Sequence, residues 1–532
     1  MASKMLQPAH SLFFAPQALS PQLPISPQGA LDRVTYVKNP LNEGQRLAVE
    51  DSFAKRVALL WGPPGTGKTD TLAAAVCAWL EAAQAKGVSL AVCLGAANYA
   101  ALDHLLKGIL QLLQRRLEST GALPVVLHRV RSTSSDSCDI PGVVDVPRAQ
   151  NPTPAAAELV GRLQGSSGLT LVAGTYLQMQ RLARQANAER RGVEGAVGAP
   201  WFDLVVLDEA SQMPTSSALC YACLLKPHGH LLVAGDNKQL GPVYTYQVEE
   251  SRSGLLDCVY AFFLEHHHIE PARLSQNYRT NQDIAAWPSV RFYEEKYSAV
   301  HHDRALRLGP DVSRPSEWPG TLPFSDAWSH LLDPDAPITV LVHPENTSTV
   351  SNAFEARAVA CLARAYWHRL KQIEPGLTKS EFWSERLGLV TPHRAQIATI
   401  RNLLGDLAPG ESEPGAILVD TVDRFQGQER DLIIGSYVVS DKDFIAGEEE
   451  FILDARRFNV TLTRARAKFV LLLSRALLSY LPAEKKTAES AAHLQLFVEQ
   501  FCERRGPMNV PAPAGELACE LFMKSRTVGA AA

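Results

Sequence analysis

The chain has 532 residues, of which 46% are hydrophobic and 20% are charged, a balance typical of globular proteins and not of fibrous or disordered ones. Its length exceeds that of one ordinary hydrophobic core, so we expect about two to four domains. A formal net charge of −4 excludes a uniformly basic surface. Any nucleic-acid site must therefore gather its positive charge locally.

Compartment signals in the sequence favour the cell interior. Nine cysteines are scattered through a chain that shows no secretory signal, which predicts reduced thiols and a cytoplasmic location, with a nuclear one not excluded. The best candidate for a membrane segment, the apolar run Phe469 to Leu473, stops at Ser474 and Arg475 and is too short to cross a membrane.

Composition divides the chain into four stretches. Residues 1–36 are rich in proline, and Lys4 is the only charged residue among the first thirty. This composition predicts a disordered lead-in. Residues 37–270 and 271–482 each alternate short apolar runs with helical patterns, and residues 118–168 are irregular enough to predict a small insertion. Residues 483–532 predict a helix followed by a polar tail. The predicted fold class is α/β, with two tandem domains built on parallel sheets.

Short apolar runs give the strand candidates of both domains. In the first domain they are Val57–Trp61, Leu90–Leu94, Val125–Val130, Leu169–Val172, Leu204–Leu207 and Leu231–Ala234. In the second domain they are Ile338–Val342, Leu387–Val390, Ile417–Val419, Leu432–Ser436 and Phe469–Leu473. The clearest helix candidates, all in the first domain, are Asn42–Ala54, Leu72–Ala83 and Tyr99–Leu117.

The stretch VALLWGPPGTGKTDT, Val57 to Thr71, joins a strand to a helix through a glycine-rich loop. Its spacing fits G-x-x-x-x-G-K-[ST], in which backbone N–H groups and the start of the helix face phosphate. Lys68 can reach the β- and γ-phosphates, and the Thr69 hydroxyl can ligate Mg²⁺. We therefore predict that a nucleoside triphosphate binds here. The predicted contact residues are Gly62, Pro63, Gly65, Thr66, Gly67, Lys68, Thr69 and Asp70.

Two further strands of the first domain run into polar residues. LVVLDEASQ places Asp208 and Glu209 at the carboxyl end of a strand, where ligands bind in open parallel sheets. Asp208 is the candidate Mg²⁺ ligand, and Glu209 is the candidate base for an attacking water. LVAGDNKQLGPV places Gln239 where its amide can touch the γ-phosphate and Asp236 where it can orient water or Mg²⁺; the alternative is a plain β-turn.

Arginines of the second domain are candidates for contacts to the transferred phosphate. LSQNYRT contains Arg279, with Tyr278 offering a ring that can stack on a base, and NVTLTRARAK contains Arg464. The alternative is that these arginines pair with acidic surface groups, which is the commoner fate of arginine. Glu429 is a candidate acceptor for a ribose hydroxyl, and Gln45 is a candidate reader of adenine.

Seven stretches in this order resemble the motifs of superfamily 1 helicases, in the branch that contains the nonsense-mediated-decay helicase and senataxin. They are GPPGTGKT, DEASQ, GDNKQLGPV, LSQNYRT, LVTPHRAQ, TVDRFQGQERDLII and RRFNVTLTRA. The resemblance covers about residues 40 to 475. It implies two RecA-like domains, with ATP and Mg²⁺ in the cleft between them and a single strand of RNA or DNA crossing both. It also implies translocation from 5′ to 3′.

The resemblance assigns roles by motif. It implies that Gln45 reads adenine, Gln239 senses the γ-phosphate, Tyr278 lies against the base and Glu429 meets the ribose. Arg279 and Arg464 are then the two arginine fingers, acting with Lys68, Asp208 and Glu209. Positions that match contacts to the strand's backbone are Asn98, Thr175, Thr391, Arg394 and Thr421.

One departure from the family pattern keeps a second hypothesis open. Many relatives carry a β-barrel subdomain ahead of the adenine-reading glutamine, and no barrel is evident ahead of Gln45. Protein partners that supply accessory domains are therefore a further expectation. The alternative function is a nucleotide-gated nucleic-acid clamp or assembly ATPase with little unwinding of its own.

Overall fold

The chain divides into two compact units, Met1–Ser275 and Gln276–Ala532. The computed structural model describes residues 8–19, 29–132, 140–148, 153–165, 168–188, 200–242, 257–311, 314–315, 317–408, 419–420, 428–512 and 515–527. The sequence placed the domain boundary at 270/271, five residues before the division between the units.

A parallel sheet of eight strands forms the centre of the first unit, in the order β4-β3-β5-β2-β6-β7-β1-β8. Its strands are β1 (Val57–Trp61), β2 (Leu90–Ala96), β3 (Val125–Ser132), β4 (Val143–Arg148), β5 (Leu169–Gly174), β6 (Phe202–Asp208), β7 (Leu225–Gly235) and β8 (Ala272–Arg273). The central strands are buried on both faces, which explains why they read as continuous apolar runs in the sequence. All six strand candidates of this domain lie within these strands.

Helices of the first unit pack on this sheet. They are α1 (Pro8–Phe14), α2 (Glu43–Ala54), α3 (Lys68–Lys86), α4 (Tyr99–Thr120), α5 (Pro154–Gly165), α6 (Tyr176–Ala188), α7 (Thr215–Ala222) and α8 (Val259–Ala261). Asn42 and Gln45 form a reciprocal capping box that begins α2. Helix α3 is nearly all buried over its first four turns, which is consistent with its run of alanines beneath larger neighbours. The core therefore lies between α2, α3, α4 and the sheet.

The second unit has a sheet of seven strands in the order β13-β12-β14-β15-β11-β17-β16. Its strands are β11 (Ile338–His343), β12 (Leu387–Val390), β13 (Val419–Asp420), β14 (Arg430–Ser436), β15 (Ala465–Ser474), β16 (Arg504–Ala512) and β17 (Gly515–Lys524). Strands β11 to β15 pair in parallel, whereas β17 pairs antiparallel with both β11 and β16. A separate parallel pair joins β9 (Gln276–Asn277) to β10 (Ser298–Ala299).

Nine α-helices occur in the described part of the second unit. They are α9 (Gln282–Phe292), α10 (Ala327–Leu331), α11 (Ala353–Ile373), α12 (Lys379–Glu381), α13 (Arg394–Leu404), α14 (Lys442–Ile452), α15 (Ala455–Leu462), α16 (Arg475–Leu478) and α17 (Lys485–Leu496). Short 3-10 and π segments complete both units, at Pro16–Ala18, Leu31–Arg33, Ala210–Gln212, Gly405–Leu407, Phe262–His266, Phe382–Arg386 and Phe497–Phe501. The parallel sheets with helices confirm the α/β fold class.

Three stretches differ from the sequence prediction. The proposed insertion at 118–168 contributes β3 and β4 to the main sheet, because its apolar residues extend that sheet, and it also contains α5. The lead-in predicted as disordered contains α1, whose buried Phe13 packs on Phe262 and Phe263 with ring centroids 5.7 and 5.1 Å apart. The stretch predicted as a polar tail contains the hairpin β16–β17, which extends the second sheet and buries Val510 and Phe522.

Among the described helices, none combines the length and the apolar character needed to cross a membrane.

Candidate functional site

The glycine-rich loop lies between β1 and α3, at the carboxyl edge of the first sheet. The Gly62 amide donates to the Gly235 carbonyl at 3.2 Å, which ties the loop to the end of β7. Gly65 and Gly67 have φ of 72° and 77°, a left-handed conformation that glycine adopts without a steric penalty. Helix α3 begins directly after Gly67, so its first amide groups face the loop. This arrangement suits an anion held at a helix N-terminus.

Lys68 lies at the centre of the site and is buried. Its Nζ is 3.0 Å from Oε1 of Glu209 and 3.9 Å from Oδ1 of Asp208. Burial alone lowers the pKa of Lys68, but Glu209 and Asp208 outweigh it, so the pKa is raised and the ammonium stays protonated. A cation held between two carboxylates is available to a phosphate that enters the loop.

The two predicted ligands of Mg²⁺, Thr69 and Asp208, lie next to each other. Oγ1 of Thr69 lies 3.5 Å from Oδ2 of Asp208, and the Glu209 amide donates to Oδ1 of Asp208 at 2.8 Å. Burial raises the pKa of Asp208, Lys68 opposes that change and Glu209 adds to it. A hydroxyl and a carboxylate this close are oxygen ligands that Mg²⁺ accepts beside phosphate and water, so these residues fit the ion. When bound, Mg²⁺ supplies positive charge against the phosphate oxygens.

The backbone conformation of Glu209 could not be predicted from the sequence. Its φ of 50° and ψ of 39° lie in the left-handed region, which is uncommon for a residue with a side chain. The bend directs its carboxylate to Lys68, while its Oε2 accepts a hydrogen bond from Nε2 of Gln212 at 3.2 Å. Strained residues of this kind cluster at functional sites. A carboxylate fixed in this way can serve as a general base.

Asp236 and Gln239 follow β7 on the same edge of the sheet. Nε2 of Gln239 donates to Oδ2 of Asp236 at 2.8 Å, and Oδ1 of Asp236 accepts from Nε1 of Trp61 at 3.3 Å. Asp236 therefore fixes the amide of Gln239, a role that the sequence pattern left open. The contribution of Trp61, the last residue of β1, was missed, because the sequence shows only an apolar residue at the end of a strand.

Gln45 joins α2 to the glycine-rich loop. Its Oε1 accepts from the Asn42 amide at 3.0 Å, and its Nε2 donates to the Thr66 carbonyl at 3.4 Å. These bonds use one lone pair and one N–H of the side-chain amide, which leaves one of each for an adenine edge. Thr66 is itself held by a 2.8 Å bond from its hydroxyl to the Pro63 carbonyl. Asp70 lies exposed in the first turn of α3.

The predicted strand-contact residues of the first unit lie on other strands of the same edge. Asn98 follows β2 and Thr175 follows β5, whereas the triphosphate residues follow β1, β6 and β7. The Asn98 side chain accepts from the Ala101 amide at 2.9 Å and so caps α4. The sheet thus separates the two sets of residues by strand position. In the second unit Thr391 follows β12 and exposed Arg394 begins α13; Thr421 lies outside the described residues.

In the second unit, Arg279 and Glu429 come together. Nε of Arg279 donates to Oε2 of Glu429, and its Nη1 donates to the Thr463 carbonyl at 3.2 Å. Oε1 of Glu429 accepts from Nε of Arg466 at 3.0 Å, so one carboxylate bridges two arginines. Although burial alone raises the pKa of Glu429, Arg279 and Arg466 lower it to about 2. The contact between Arg466 and Glu429 could not be predicted, because nothing in the spacing of the motifs links the two residues.

Tyr278 and Arg464 are the other two predicted site residues of this unit. The Tyr278 hydroxyl donates to Oε1 of Gln276 at 2.9 Å. Arg464 is 3% exposed and lies between α15 and β15, where its amide donates to the Thr461 carbonyl at 3.3 Å. Its carbonyl accepts from the Arg430 amide, which continues the chain into the Glu429 segment. Arg279, Glu429 and Arg464 are therefore joined through Thr463 and Arg430.

Comparison with known proteins gives two family matches. Residues 45–245 and residues 259–476 each match a family described as an AAA domain. The matched ranges contain the glycine-rich loop, Asp208 and Glu209 in the first case, and Arg279 and Arg464 in the second.

Curated relatives align over most of this chain. The DNA replication ATP-dependent helicase/nuclease DNA2 of Mus musculus is 27% identical over 90% of this chain and 41% of its own length. The DNA-binding protein SMUBP-2 of Rattus norvegicus is 26% identical over 90% of this chain and 46% of its own. The Regulator of nonsense transcripts 1 homolog of Neurospora crassa is 26% identical over 81% of this chain and 38% of its own. The chain therefore spans less than half the length of each of these relatives.

Two consecutive family matches and relatives of one kind agree with the order of the seven motifs and with the two α/β units. The chain carries two consecutive AAA-type helicase domains, and its DNA2, SMUBP-2 and Regulator of nonsense transcripts 1 relatives place it in the superfamily 1 helicase branch.

Proposed function

We propose that this chain is an ATP-driven translocase or helicase that acts on single-stranded RNA or DNA and moves from 5′ to 3′. The observation that carries the proposal is the convergence of Lys68, Thr69, Asp208 and Glu209 at one edge of a parallel sheet. Family membership implies the use of ATP, usually with Mg²⁺. RNA, DNA and the direction of movement are proposed from motif order.

Hydrolysis is proposed to use the residues of the first unit as follows. Lys68 holds the terminal phosphate through its raised pKa and permanent charge. Thr69 and Asp208 hold the metal ion. Glu209 accepts a proton from the attacking water, and Gln239 contacts the γ-phosphate through the N–H of its amide that Asp236 does not engage. Water is the acceptor because a carboxylate base faces the phosphate cradle.

Arg279 and Arg464 are proposed to complete the site from the second unit. Charge spreads over the transferred phosphoryl group in the transition state, and arginines stabilise that charge. Since Lys68 and the two arginines belong to different units, hydrolysis then depends on the approach of one unit to the other. Loss of the phosphate removes its attraction for the two arginines. The two units then grip the strand in alternation, which converts each cycle of ATP hydrolysis into movement along the strand.

Strand binding is proposed to rest on backbone contacts. The residues concerned are Asn98, Thr175, Thr391, Arg394 and Thr421. Contacts to phosphate and sugar carry little sequence information, which suits a motor that moves along any strand. With a net charge of −4, such a site needs local positive charge, and exposed Arg394 supplies some of it.

The test measures ATP hydrolysis by the purified chain with matched single-stranded RNA, single-stranded DNA and duplex. We expect stimulation of several-fold or more by single strands, and a loss in Lys68→Ala. In Glu209→Gln, kcat falls on the order of 10²- to 10⁴-fold. Glu50→Gln, an exposed glutamate on α2, is the matched control and retains activity. Hydrolysis indifferent to every nucleic acid would overturn the proposal.

Displacement assays separate unwinding from grip. Duplexes that carry a 5′ or a 3′ single-stranded tail are offered with ATP and Mg²⁺. Displacement from the 5′-tailed substrate supports a helicase with the proposed direction. Strand-stimulated hydrolysis without displacement from either substrate would instead identify a nucleotide-gated clamp, and partner proteins would then supply the unwinding.

A further inference from the structure

Trp61 lies where three strands of the first sheet meet, directly before the glycine-rich loop. It is the last residue of β1, and it pairs in register with Gly235 at the end of β7 and with Arg273 at the end of β8. Its side chain is 7% exposed. The Leu274 amide donates to the Trp61 carbonyl at 2.9 Å, which fixes the backbone after β8 to the end of β1. Because packed interiors transmit displacements, a movement of Trp61 reaches both neighbouring strands.

On the β7 side, the indole of Trp61 fixes the carboxylate of Asp236. Nε1 of Trp61 donates to Oδ1 of Asp236 at 3.3 Å, and the Lys238 amide donates to the same oxygen at 3.0 Å. The other oxygen, Oδ2, accepts from Nε2 of Gln239 at 2.8 Å. Asp236 is fully buried, so hydrogen bonds to its oxygens must offset the loss of water. Trp61 is thus one bond from the carboxylate that orients the proposed γ-phosphate contact.

On the β8 side, the ring of Trp61 faces the guanidinium of Arg273. The guanidinium carbon lies 5.0 Å from the ring centroid, which is a cation–π contact. The start of α2 also lies against Arg273, since a Cβ added at Gly44 would be 2.5 Å from the Arg273 carbonyl oxygen. Helix α2 carries Gln45, the proposed adenine contact. Arg273 therefore lies against both α2 and Trp61, at the two ends of the predicted triphosphate site.

The chain leaves the first unit directly after this contact. Ser275, the last residue of the first unit, follows Arg273 and Leu274, and Arg279 lies further along the same segment. Arg273 is exposed, so its contact with Trp61, and not burial, restrains its side chain. A shift of the Asp236 carboxylate would reach this segment through two contacts, the bond to Trp61 and the ring contact to Arg273.

We propose that Trp61 and Arg273 are positioning residues that couple the γ-phosphate of bound ATP to strand affinity. The inference rests on the proposed function, which supplies the two ligands, and adds the residues that link them. When the γ-phosphate engages Gln239, the Asp236 carboxylate and the Trp61 indole shift with it. Arg273 carries the shift into the segment that leads to Arg279. Such coupling is reciprocal, so ATP changes strand affinity by the factor by which the strand changes ATP affinity.

The test measures the Kd of an oligodeoxythymidine strand for the full chain, without and with a saturating non-hydrolysable ATP analogue and Mg²⁺. The ratio of the two Kd values is the coupling factor, which in the wild type should differ from one by about 5- to 150-fold. Trp61→Phe keeps an aromatic face for Arg273 but loses the N–H that holds Asp236. We therefore expect the factor to move about ten-fold toward one, or to reach one. Arg273→Leu should move it toward one by about 2- to 5-fold, the contribution of an exposed cation–π contact.

A second readout separates coupling from damage to folding or to nucleotide binding. In Arg273→Leu, the Kd of the analogue without strand and the unstimulated kcat should stay within about two-fold of the wild type, because the replaced side chain is exposed. A wild-type coupling factor in Arg273→Leu would overturn the inference, whether or not Trp61→Phe folds. An equal loss of analogue affinity with and without the strand would assign Arg273 to nucleotide binding alone and would also overturn it.

Two matched controls come from the same chain. Arg291 is exposed, and its guanidinium carbon also lies 5.0 Å from a tryptophan centroid, that of Trp287 in the second unit. The Tyr260 ring packs against Gly235, and its buried hydroxyl has no hydrogen-bond partner in the described part of the chain. Arg291→Leu and Tyr260→Phe should both keep the wild-type coupling factor. A loss in either control equal to that in Arg273→Leu would overturn the specific role of Arg273.

The double variant tests whether the two residues act in one series of contacts. If they do, Arg273→Leu adds no further loss of coupling to Trp61→Phe. Losses that add in free energy would mean that the residues act separately, against the inference. Strand-stimulated hydrolysis in the wild type, with unchanged coupling in the variants, rejects this inference and retains the proposed function. Wild-type hydrolysis that no strand stimulates rejects the proposed function itself.

Discussion

Arg279 and Glu429 form an ion pair within the second unit, in which Nε of the arginine donates to Oε2 of the carboxylate. The same carboxylate also forms an ion pair with Arg466, whose Nη2 lies 3.0 Å from Oε2 of Glu385. The arginine that the motif pattern assigns to the transferred phosphate is thus oriented by the glutamate that it assigns to the ribose. We infer that Glu429 positions Arg279.

Glu429→Gln tests this relationship. The variant keeps a hydrogen-bond acceptor but loses the charge that holds Arg279, so we expect kcat for strand-stimulated ATP hydrolysis to fall on the order of ten- to a hundred-fold. KM for ATP should change less. In the double variant with Arg279→Ala, the two losses should not add, because Glu429 acts through Arg279.

Glu385→Gln is the matched control, since Glu385 contacts Arg466 in the same network. It should lower kcat far less than Glu429→Gln. A rise in KM with unchanged kcat in Glu429→Gln would assign that residue to ribose binding alone.

Gly67→Ala tests the glycine-rich loop. A side chain at φ of 77° is strained, and a Cβ there would lie 2.9 Å from Nε2 of Gln45. We expect the free energy of unfolding to fall by about 1–2 kcal/mol, together with a loss of nucleotide affinity. Gly161→Ala, in helix α5 with open space around it, is the control and should stabilise by up to about 1 kcal/mol. Unchanged nucleotide affinity in Gly67→Ala would contradict the assigned loop.

Phe13→Ala tests the ordered N-terminal helix. Phe13 is 1% exposed against Phe262 and Phe263, whereas its neighbour Phe14 is 57% exposed. Removal of a buried phenylalanine costs about 3–5 kcal/mol, so Phe13→Ala should lower the denaturant midpoint strongly. Phe14→Ala should change the free energy of unfolding by less than about 0.5 kcal/mol. Equal, small effects of the two variants would mean that α1 does not pack in solution.

The central strands were predictable from sequence, and two missed strands share a cause. All the strand candidates in the described residues lie in strands, because parallel strands buried on both faces leave apolar runs between turn residues. Two of the missed strands, β4 and β16, each lie at one edge of their sheet, and they carry Pro147 and Pro507 respectively. Proline is tolerated at an edge because one side of the strand needs no amide donor.

The candidate site shows a similar limit. That the loop and the carboxylate residues lie close together was predictable, because a parallel sheet brings the carboxyl ends of its strands to one edge; their binding of phosphate stays a prediction. The bridge from Glu429 to Arg466 and the bond from Trp61 to Asp236 were not predictable, since they join residues distant in sequence through side-chain geometry. The left-handed Glu209 had no compositional signal at all.

His230 gives the fold a pH dependence. It is fully buried, and its Nδ1 lies 2.8 Å from the Lys55 carbonyl. Burial lowers its pKa from 6.5 to about 4, so between those values the unfolded chain binds the proton that the folded chain refuses. The free energy of unfolding should therefore fall by up to about 3 kcal/mol as the pH drops from 6.5 to 4.

Urea unfolding across this pH range measures the effect. His230→Gln should flatten the dependence, because it removes the titrating group, whereas His302→Gln, at an exposed position, should leave it intact. If the free energy of unfolding changes with pH equally in His230→Gln and in the wild type, a titrating group other than His230 causes the dependence.

We propose that arginines of the second unit complete the hydrolysis of a triphosphate held by Lys68 in the first. The most direct measurement is the kcat for strand-stimulated ATP hydrolysis in Arg464→Ala, alongside the Kd for ATP of the same variant. Since an arginine finger acts mainly on the transition state, we expect kcat to fall on the order of 10³-fold or more, with Kd changed less than about ten-fold. A kcat equal to that of the wild type would contradict it.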